Sequence, residues 1–350
     1  MEYRQLGRSG LRVSTITLGT MGFGGTGFAE AVGKIQVDGA RRQLELARDA
    51  GVNLVDTADV YSTGLAEQIL GEALGKDRDD WLVATKVRMA MGDGPNDAGL
   101  SRHHIIRGAE ASLRRLGTDW IDLYQVHEWD GHTPLDETLG ALDTLVQSGK
   151  VRYVGASNYA GWQLMKALGV ADHHDYERFV SQQIYYSLQA RDAEDELVPL
   201  SVDQGVGILV WSPIAGGLLS GKYRRGVDAP EGSRHVGDWS EPPIYDEDKL
   251  YDTIEKLVSI GEAHEVSAAQ VALAWLIAKP GVTSVIVGAR TEEQLSDNLA
   301  SASLTLTEDE IDQLDEVSAQ PLRYPHWHQA NTSGDRLSEA DLTLLRRHLS

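Results

Sequence analysis

Short apolar runs alternate along the chain with longer stretches of helical period. The runs are Ser14–Leu18, Asn53–Asp56, Trp81–Thr85, Ile121–Gln125, Val151–Ala156, Phe179–Gln182, Gly207–Trp211 and Ser284–Val287. They are rich in Val, Ile, Leu and Trp and mostly lack polar alternation, the pattern of parallel strands covered on both faces. Between them lie amphipathic stretches such as Asp38–Ala50, Gly64–Leu74, His104–Leu116, Leu135–Ser148 and Glu194–Gln204. In His104–Leu116, residues Ile105, Ile106, Ala109, Leu113 and Leu116 mark one face, with Arg107, Glu110 and Arg114 opposite. Gly51, Gly75, Gly117, Gly149 and Gly205 follow the helical stretches, where a left-handed cap is wanted. Eight strand–helix units predict an α/β fold, a (β/α)8 TIM barrel, which takes about 250 residues. The surplus falls in a hairpin over 1–13 turning at Gly7–Gly10, a long loop over 216–249, and a tail over 321–350 that ends in a helical pattern, Ser338–His348. One domain spanning 1–350 is therefore expected rather than two.

Composition narrows the chemistry. The chain has 350 residues and no cysteine, which excludes a disulfide framework, a thiolate zinc site, an iron–sulfur cluster and a cysteine nucleophile. With 53 acidic against 32 basic residues the formal charge is −21, which would repel a phosphate backbone, so nucleic acid is not an expected partner. Arg4, Arg8 and Arg12 interrupt the opening residues, and no apolar run approaches the roughly 20 residues of a membrane helix, so a cytoplasmic chain without a membrane partner is expected.

In a barrel the reactive residues sit at the C-terminal ends of the strands. There the second run ends in Asp56, Lys86 directly follows the third and His127 stands just past the fourth, with Tyr61 five residues after the acid. Singly, an Asp closing a strand reads as a turn or cap residue, and a Lys or His as a solvated loop residue. Arriving together on adjacent strands, they read as a proton donor. Tyrosine's ordinary pKa is about 10; a neighbouring Lys86 ammonium is expected to lower it, with Asp56 keeping that lysine charged and placed. His127 would orient a carbonyl. No activated nucleophile and no electron source accompany them, so the pattern suits carbonyl reduction with hydride from a cofactor.

At these residues the sequence resembles the aldo-keto reductase superfamily over nearly its whole length. Asp56-Thr-Ala-Asp-Val-Tyr61, Ala-Thr-Lys86 and Gln-Val-His127 match that family's tetrad in order and spacing, and the opening Tyr-Arg-Gln-Leu-Gly-Arg-Ser-Gly-Leu-Arg-Val-Ser is similar to its N-terminal hairpin. The resemblance implies Tyr61 as general acid, tuned by Lys86 and Asp56, with His127 orienting the substrate. It implies NADPH/NADP+ as cofactor, with NAD possible, and a small carbonyl or alcohol as substrate. By the same resemblance Gly19, Thr20 and Met21 lie near the nicotinamide ribose, Ser157, Asn158 and Gln183 hold the nicotinamide amide, and Trp211 stacks on its ring. Ser212, Pro213, Leu218, Ser220 and Lys222 belong to the segment that wraps the pyrophosphate. Gly288, Arg290, Gln294 and Asn298 form the adenosine end, with Arg290 on the 2′-phosphate. Gly288-Ala289 stands where some relatives carry Lys-Ser, which moves phosphate recognition onto Arg290.

Two other functions compete. Gly22-Phe-Gly24-Gly-Thr-Gly27 matches the dinucleotide fingerprint of a Rossmann dehydrogenase, but no helical stripe opens inside it and Asp56 stands 29 residues after Gly27, so a loop at the barrel mouth is expected. A non-catalytic nicotinamide-binding regulatory subunit, as in the potassium-channel β-subunits of the superfamily, is the third reading. His127-Glu-Trp-Asp-Gly-His132 has its histidines five apart rather than four, so no metal site is expected. Loop aromatics Trp129, Trp239, Tyr245, Tyr324 and Trp327 read either as a substrate pocket or as scattered packing.

Overall fold

The structure, a computed structural model, describes residues 1–26, 33–228 and 241–349. Gly27 of the glycine-rich motif and Trp239 of the loop aromatics lie outside the described residues.

Two short strands, β1 (Tyr3–Gln5) and β2 (Arg12–Ser14), pair antiparallel into the expected hairpin. Eight further strands follow: β3 (Ile16–Gly19), β4 (Leu54–Asp56), β5 (Leu82–Val87), β6 (Ile121–Val126), β7 (Val151–Ser157), β8 (Ser181–Tyr185), β9 (Gly207–Trp211) and β10 (Val282–Val287). They close into a parallel barrel in the order β10-β3-β4-β5-β6-β7-β8-β9. The (β/α)8 expectation is met, and the doubly wound open sheet that a Rossmann dehydrogenase requires is not formed. Among the described residues the next helix after the glycine-rich segment begins at Val37.

Helices α1 (Val37–Asp49), α2 (Leu65–Leu74), α3 (Arg102–Leu116), α4 (Leu135–Gln147), α5 (Gly161–His174) and α6 (Leu197–Gln204) alternate with the strands. Two helices, α7 (Glu247–His264) and α8 (Ala268–Ile277), fill the last crossover before β10. Then come α9 (Glu292–Ala300), α10 (Glu308–Val317), α11 (His326–Thr332) and α12 (Glu339–Leu345). Ser101 caps α3 by accepting from the His104 amide, and Gly117 ends it at φ +65°, a value glycine adopts without a Cβ penalty.

Strand alternation sorts the core into two layers. Outward-facing Val55, Val83, Tyr124, Val154, Val210 and Val285 meet the helices, among them Trp275 of α8, which is fully buried. Each such side chain contributes roughly 1.5–3 kcal/mol by leaving water. Inward-facing Leu54, Ala84, Leu123, Leu209 and Ile286 pack on Leu6 and Val13 of the hairpin, which plugs the N-terminal end. Chemistry is thereby confined to the open, C-terminal end.

The helical pattern expected at the end of the tail forms α12. This helix packs on α6, and Arg347 reaches Asp315 of α10. Asp315 is fully buried and also accepts from Trp275 Nε1 at 3.0 Å and Lys279 Nζ at 2.6 Å. Of the loop aromatics, Tyr324 and Tyr245 stand 75% and 89% exposed, whereas Trp129 packs edge-on between Tyr159 and Trp162. Among the described residues no helix is long and apolar enough to cross a membrane.

Candidate active site

The strands β4, β5, β6 and β8 each deliver one polar side chain to the same inner level. Asp56, at the end of β4, is 2% exposed and receives three donors. Lys86 Nζ donates to its Oδ1 at 2.5 Å, while Gln183 Nε2 and Gln125 Nε2 donate to its Oδ2 at 2.8 and 3.2 Å. Its own carbonyl accepts from the Thr20 amide and hydroxyl. Lys86 is fully buried, and its three ammonium protons are all used: on Asp56, on the Thr57 carbonyl at 2.9 Å, and on Tyr61 Oη at 3.3 Å. A buried ion pair of this kind survives because each charge has further polar partners. Burial works against the Lys86 charge, but the fields of Asp56 and Tyr61 outweigh it and hold its pKa above the ordinary value.

Tyr61 comes to Lys86 on an unusual turn. Ser62, Thr63 and Gly64 have φ of 48°, 57° and 91°, three left-handed residues in succession directly after the tyrosine. A β-branched residue such as Thr63 is rarely found there, and the strain of such positions is on the order of 1–3 kcal/mol each. The glycine-rich segment clasps the turn: Ser62 Oγ donates to the Phe23 carbonyl at 2.7 Å and accepts from the Gly25 amide at 3.0 Å. Gly24 lies so close that a Cβ would stand 2.8 Å from Ser62 Cβ. From below, Arg115 of α3 packs under Gly64, where a Cβ would meet its Cδ at 2.9 Å. That arginine is held by Glu67 of α2, Nε to Oε2 at 2.6 Å, and Thr85 donates to the other Glu67 oxygen at 2.5 Å.

The expectation that Lys86 depresses the tyrosine is corrected here. Burial raises the Tyr61 pKa by more than the Lys86 charge lowers it, so the phenol stands above its ordinary value and is protonated at neutral pH. His127 stacks edge-on to Tyr61, ring centroids 6.0 Å apart. Burial, then the charges of Lys86 and Arg88, lower its pKa to about 3, so the imidazole is neutral. Its Nδ1 is buried without a hydrogen-bond partner.

The remaining sequence-derived residues are distributed over β3, β7, β8, β9 and the segments that follow β9 and β10. Gly19 ends β3 and is the register partner of Asp56 on the neighbouring strand β4; Met21 follows Thr20 at the rim, half-buried. Ser157 is buried and donates to the Gln183 carbonyl at 3.0 Å. Asn158, exposed and at φ +55°, donates to the His127 carbonyl at 3.1 Å and accepts from Trp211 Nε1 at 2.9 Å. It does not cap α5, whose N-cap is Ala160. Gln183, expected on a ligand amide, donates its amide nitrogen to Asp56 at 2.8 Å. Trp211 is only half-buried, so core packing does not account for it; one face leans on Tyr185 at 4.9 Å between centroids.

Beyond Trp211 the chain coils tightly, with Ser212, Ala215, Gly216 and Gly217 all at positive φ. Ser212 Oγ accepts from the Gly216 amide and Ser220 Oγ donates to the Gly217 carbonyl. Pro213 and Leu218 are buried beneath this coil, and Lys222 is exposed with its ammonium 5.1 Å from the Tyr223 ring. After β10, Gly288 and Arg290 are exposed, and the Arg290 amide donates to Gln294 Oε1 at 3.1 Å. Thr291 caps α9, while Asn298 is buried on its inner face. Arg42 of α1 reaches Glu292 at 2.5 Å, so basic and acidic groups are interleaved at this end.

Sequence reasoning missed Gln125, Asp59, Arg88 and the Glu67–Arg115 pair. A glutamine inside an otherwise apolar strand, two residues before His127, was the available signal for Gln125. Among the described residues no group of His, Cys, Asp or Glu is arranged to hold a metal ion.

Comparison with known proteins agrees with this geometry. The sequence profile of the Aldo/keto reductase family matches residues 15–319. An uncharacterized oxidoreductase, YrpG, of Bacillus subtilis is 40% identical over 92% of this chain and 97% of its own. A probable voltage-gated potassium channel subunit beta of Arabidopsis thaliana is 37% identical over 91% of this chain and 96% of its own. Versiconal hemiacetal acetate reductase of Aspergillus parasiticus is 35% identical over 90% of this chain and 96% of its own. With a closed parallel barrel, this polar cluster at its C-terminal mouth and relatives named as oxidoreductases, the chain belongs to the aldo/keto reductase family.

Proposed function

We propose that the chain reduces an aldehyde or ketone to an alcohol with NADPH as the preferred hydride source, Tyr61 donating the proton, and that the same residues run the reverse oxidation of an alcohol or sugar. The observation that carries this reading is the 3.3 Å contact between Lys86 Nζ and Tyr61 Oη, made by a buried lysine already neutralised by Asp56. A phenol held above its ordinary pKa keeps its proton until a carbonyl oxygen gains charge. The Lys86 ammonium is then in place to stabilise the phenolate left behind, without rearrangement. Gln125 and Gln183 fix Asp56, and so fix Lys86. A neutral His127 whose Nδ1 meets no donor or acceptor is best satisfied with its proton on Nε2, where it donates to a carbonyl oxygen.

The other side of the mouth suits a dinucleotide. Trp211 offers a half-open aromatic face, and Lys222 and Arg290 are exposed cations on the loops after β9 and β10. Bound there, the dihydronicotinamide supplies the hydride. Gly19, Thr20, Met21, Ser157, Asn158 and Gln183 would surround its nicotinamide half, and Ser212, Pro213, Leu218, Ser220 and Lys222 its diphosphate. Gly288, Arg290, Gln294 and Asn298 would take the adenosine, with Arg290 on the 2′-phosphate.

Tyr61→Phe tests the reading. Turnover of a carbonyl panel should fall by about 10²–10⁴-fold while NADPH binding, read by fluorescence quenching, survives. Unchanged turnover sinks the assignment. Relatives named as potassium channel β subunits support a second reading, a nicotinamide-binding regulatory subunit. It expects a stoichiometric protein partner together with negligible turnover by the unaltered chain.

A further inference from the structure

Asp59 is a buried acid with no counterion. It lies between Asp56 and Tyr61, its amide donating to the Lys86 carbonyl at 3.3 Å, and its side chain is 1% exposed. Neither carboxyl oxygen has a well-formed hydrogen bond, the amide of Val60 next in the chain offering only a weak contact. The two nearby cations are already engaged. Lys86 has spent its three protons on Asp56, Thr57 and Tyr61. Arg115 of α3 is bonded to Glu67 of α2 and to Ser112. Glu67 itself is a second, fully buried carboxylate within the field of Asp59, and the buried Tyr124 phenol of β6, which donates to the Ile105 carbonyl, feels the same charge.

An ionised carboxylate sealed in this layer would be uncompensated, a cost that proteins avoid by leaving the group protonated. We propose that Asp59 is carried as a neutral carboxylic acid in the folded protein and acts as a positioning residue for Tyr61: protonated, it leaves Lys86 answering to Asp56 alone; ionised, it sets a second anion beside Lys86 and Tyr61 and weakens the phenol as a proton donor. In agreement, burial first and the Glu67 charge second push the Asp59 pKa up to about 8, and the charge of Asp59 in turn raises Tyr61. The link to turnover rests on the reading of Tyr61 as proton donor; the ionisation state of Asp59 does not.

The sign of the stability effect follows from linkage. Folded Asp59 binds a proton that the unfolded chain releases near pH 4, so its contribution is fully present below that pH and is lost progressively as the pH rises to about 8. Asp59→Asn keeps a neutral side chain of the same shape. Its melting temperature relative to the unaltered protein should therefore rise steadily between pH 5 and 8 and hold level above. A difference constant from pH 5 to 9 overturns the neutral acid. If the variant does not fold, infrared spectra of the unaltered protein decide: the carbonyl stretch of a protonated carboxylic acid at pH 7, lost above pH 9, is expected, and its absence at pH 7 refutes the assignment.

The coupling to Tyr61 is read separately. The kcat/KM profile of the unaltered protein should bend downward near pH 8 and that of Asp59→Asn should not; the same bend in both overturns the positioning role. Should the unaltered chain turn over no carbonyl, the function proposed above fails, and phenolate absorbance, taken as the difference from Tyr61→Phe in each background, reads the coupling instead. Tyr61 should then ionise at lower pH with Asn at position 59; ionisation at the same pH refutes the coupling.

Discussion

The two sides of the barrel mouth are built on opposite principles. On the side of β4, β5 and β6, Asp56 and Lys86 are 2% and 0% exposed, and every proton of the ammonium is already placed. On the side of β9 and β10, Lys222, Arg290 and Gln294 are exposed, with the Lys222 ammonium 5.1 Å from the Tyr223 ring and the Gln294 side chain accepting from the Arg290 amide. The first side pays its desolvation cost during folding and stands ready before any ligand arrives. The second has polar groups to offer and must exchange its present contacts for new ones. Pre-organisation belongs to the proton-transfer side, and adaptability to the side proposed for the cofactor.

Substitutions can break this contrast at graded cost. Lys86→Met should have the largest effect: it strands Asp56 as a buried charge, so urea denaturation should show a loss of about 3–5 kcal/mol alongside the loss of turnover. Stability within about 1 kcal/mol of the unaltered protein would mean that the proton-transfer side is not pre-paid in folding. Arg290→Ala should leave stability untouched and weaken NADPH by about 10–100-fold in a binding titration, the worth of one charge-assisted hydrogen bond, with little change for NADH. Equal weakening of both cofactors would move the 2′-phosphate elsewhere. The smallest effect is a silence. With its pKa near 3, His127 should show no imidazole titration by NMR between pH 5 and 8. Because the unfolded imidazole takes a proton near pH 6.5 and the folded one does not, this residue costs stability as the pH falls below about 6.5 and costs none above it.

The barrel was legible because each strand announces itself as a short apolar run, and Asp56, Lys86 and His127 stand at or next to the ends of three of them. What stayed hidden depended on burial and direction. Tyr61 next to a lysine suggests a depressed phenol, yet desolvation, which no spacing reveals, wins. Asp59 reads in sequence as one more acid in a chain of 53, and only its enclosure by Glu67, Arg115 and Tyr124 distinguishes it. The sequence does not reveal that the Gln183 donor turns to Asp56, whose carboxylate still has a lone pair to satisfy after bonding Lys86 and Gln125. The glycine-rich segment imitates a phosphate loop by composition, whereas Gly24 serves close approach to Ser62 and Gly25 close approach to the Gly33 carbonyl.

That clasped turn bears on how the protein can be improved. A threonine in left-handed conformation at position 63 stores energy that glycine would release, so a search for thermostable variants should readily find Thr63→Gly. The same exchange would slacken the hinge that aims the Tyr61 hydroxyl at Lys86. Selection for heat resistance and selection for turnover should therefore pull position 63 in opposite directions.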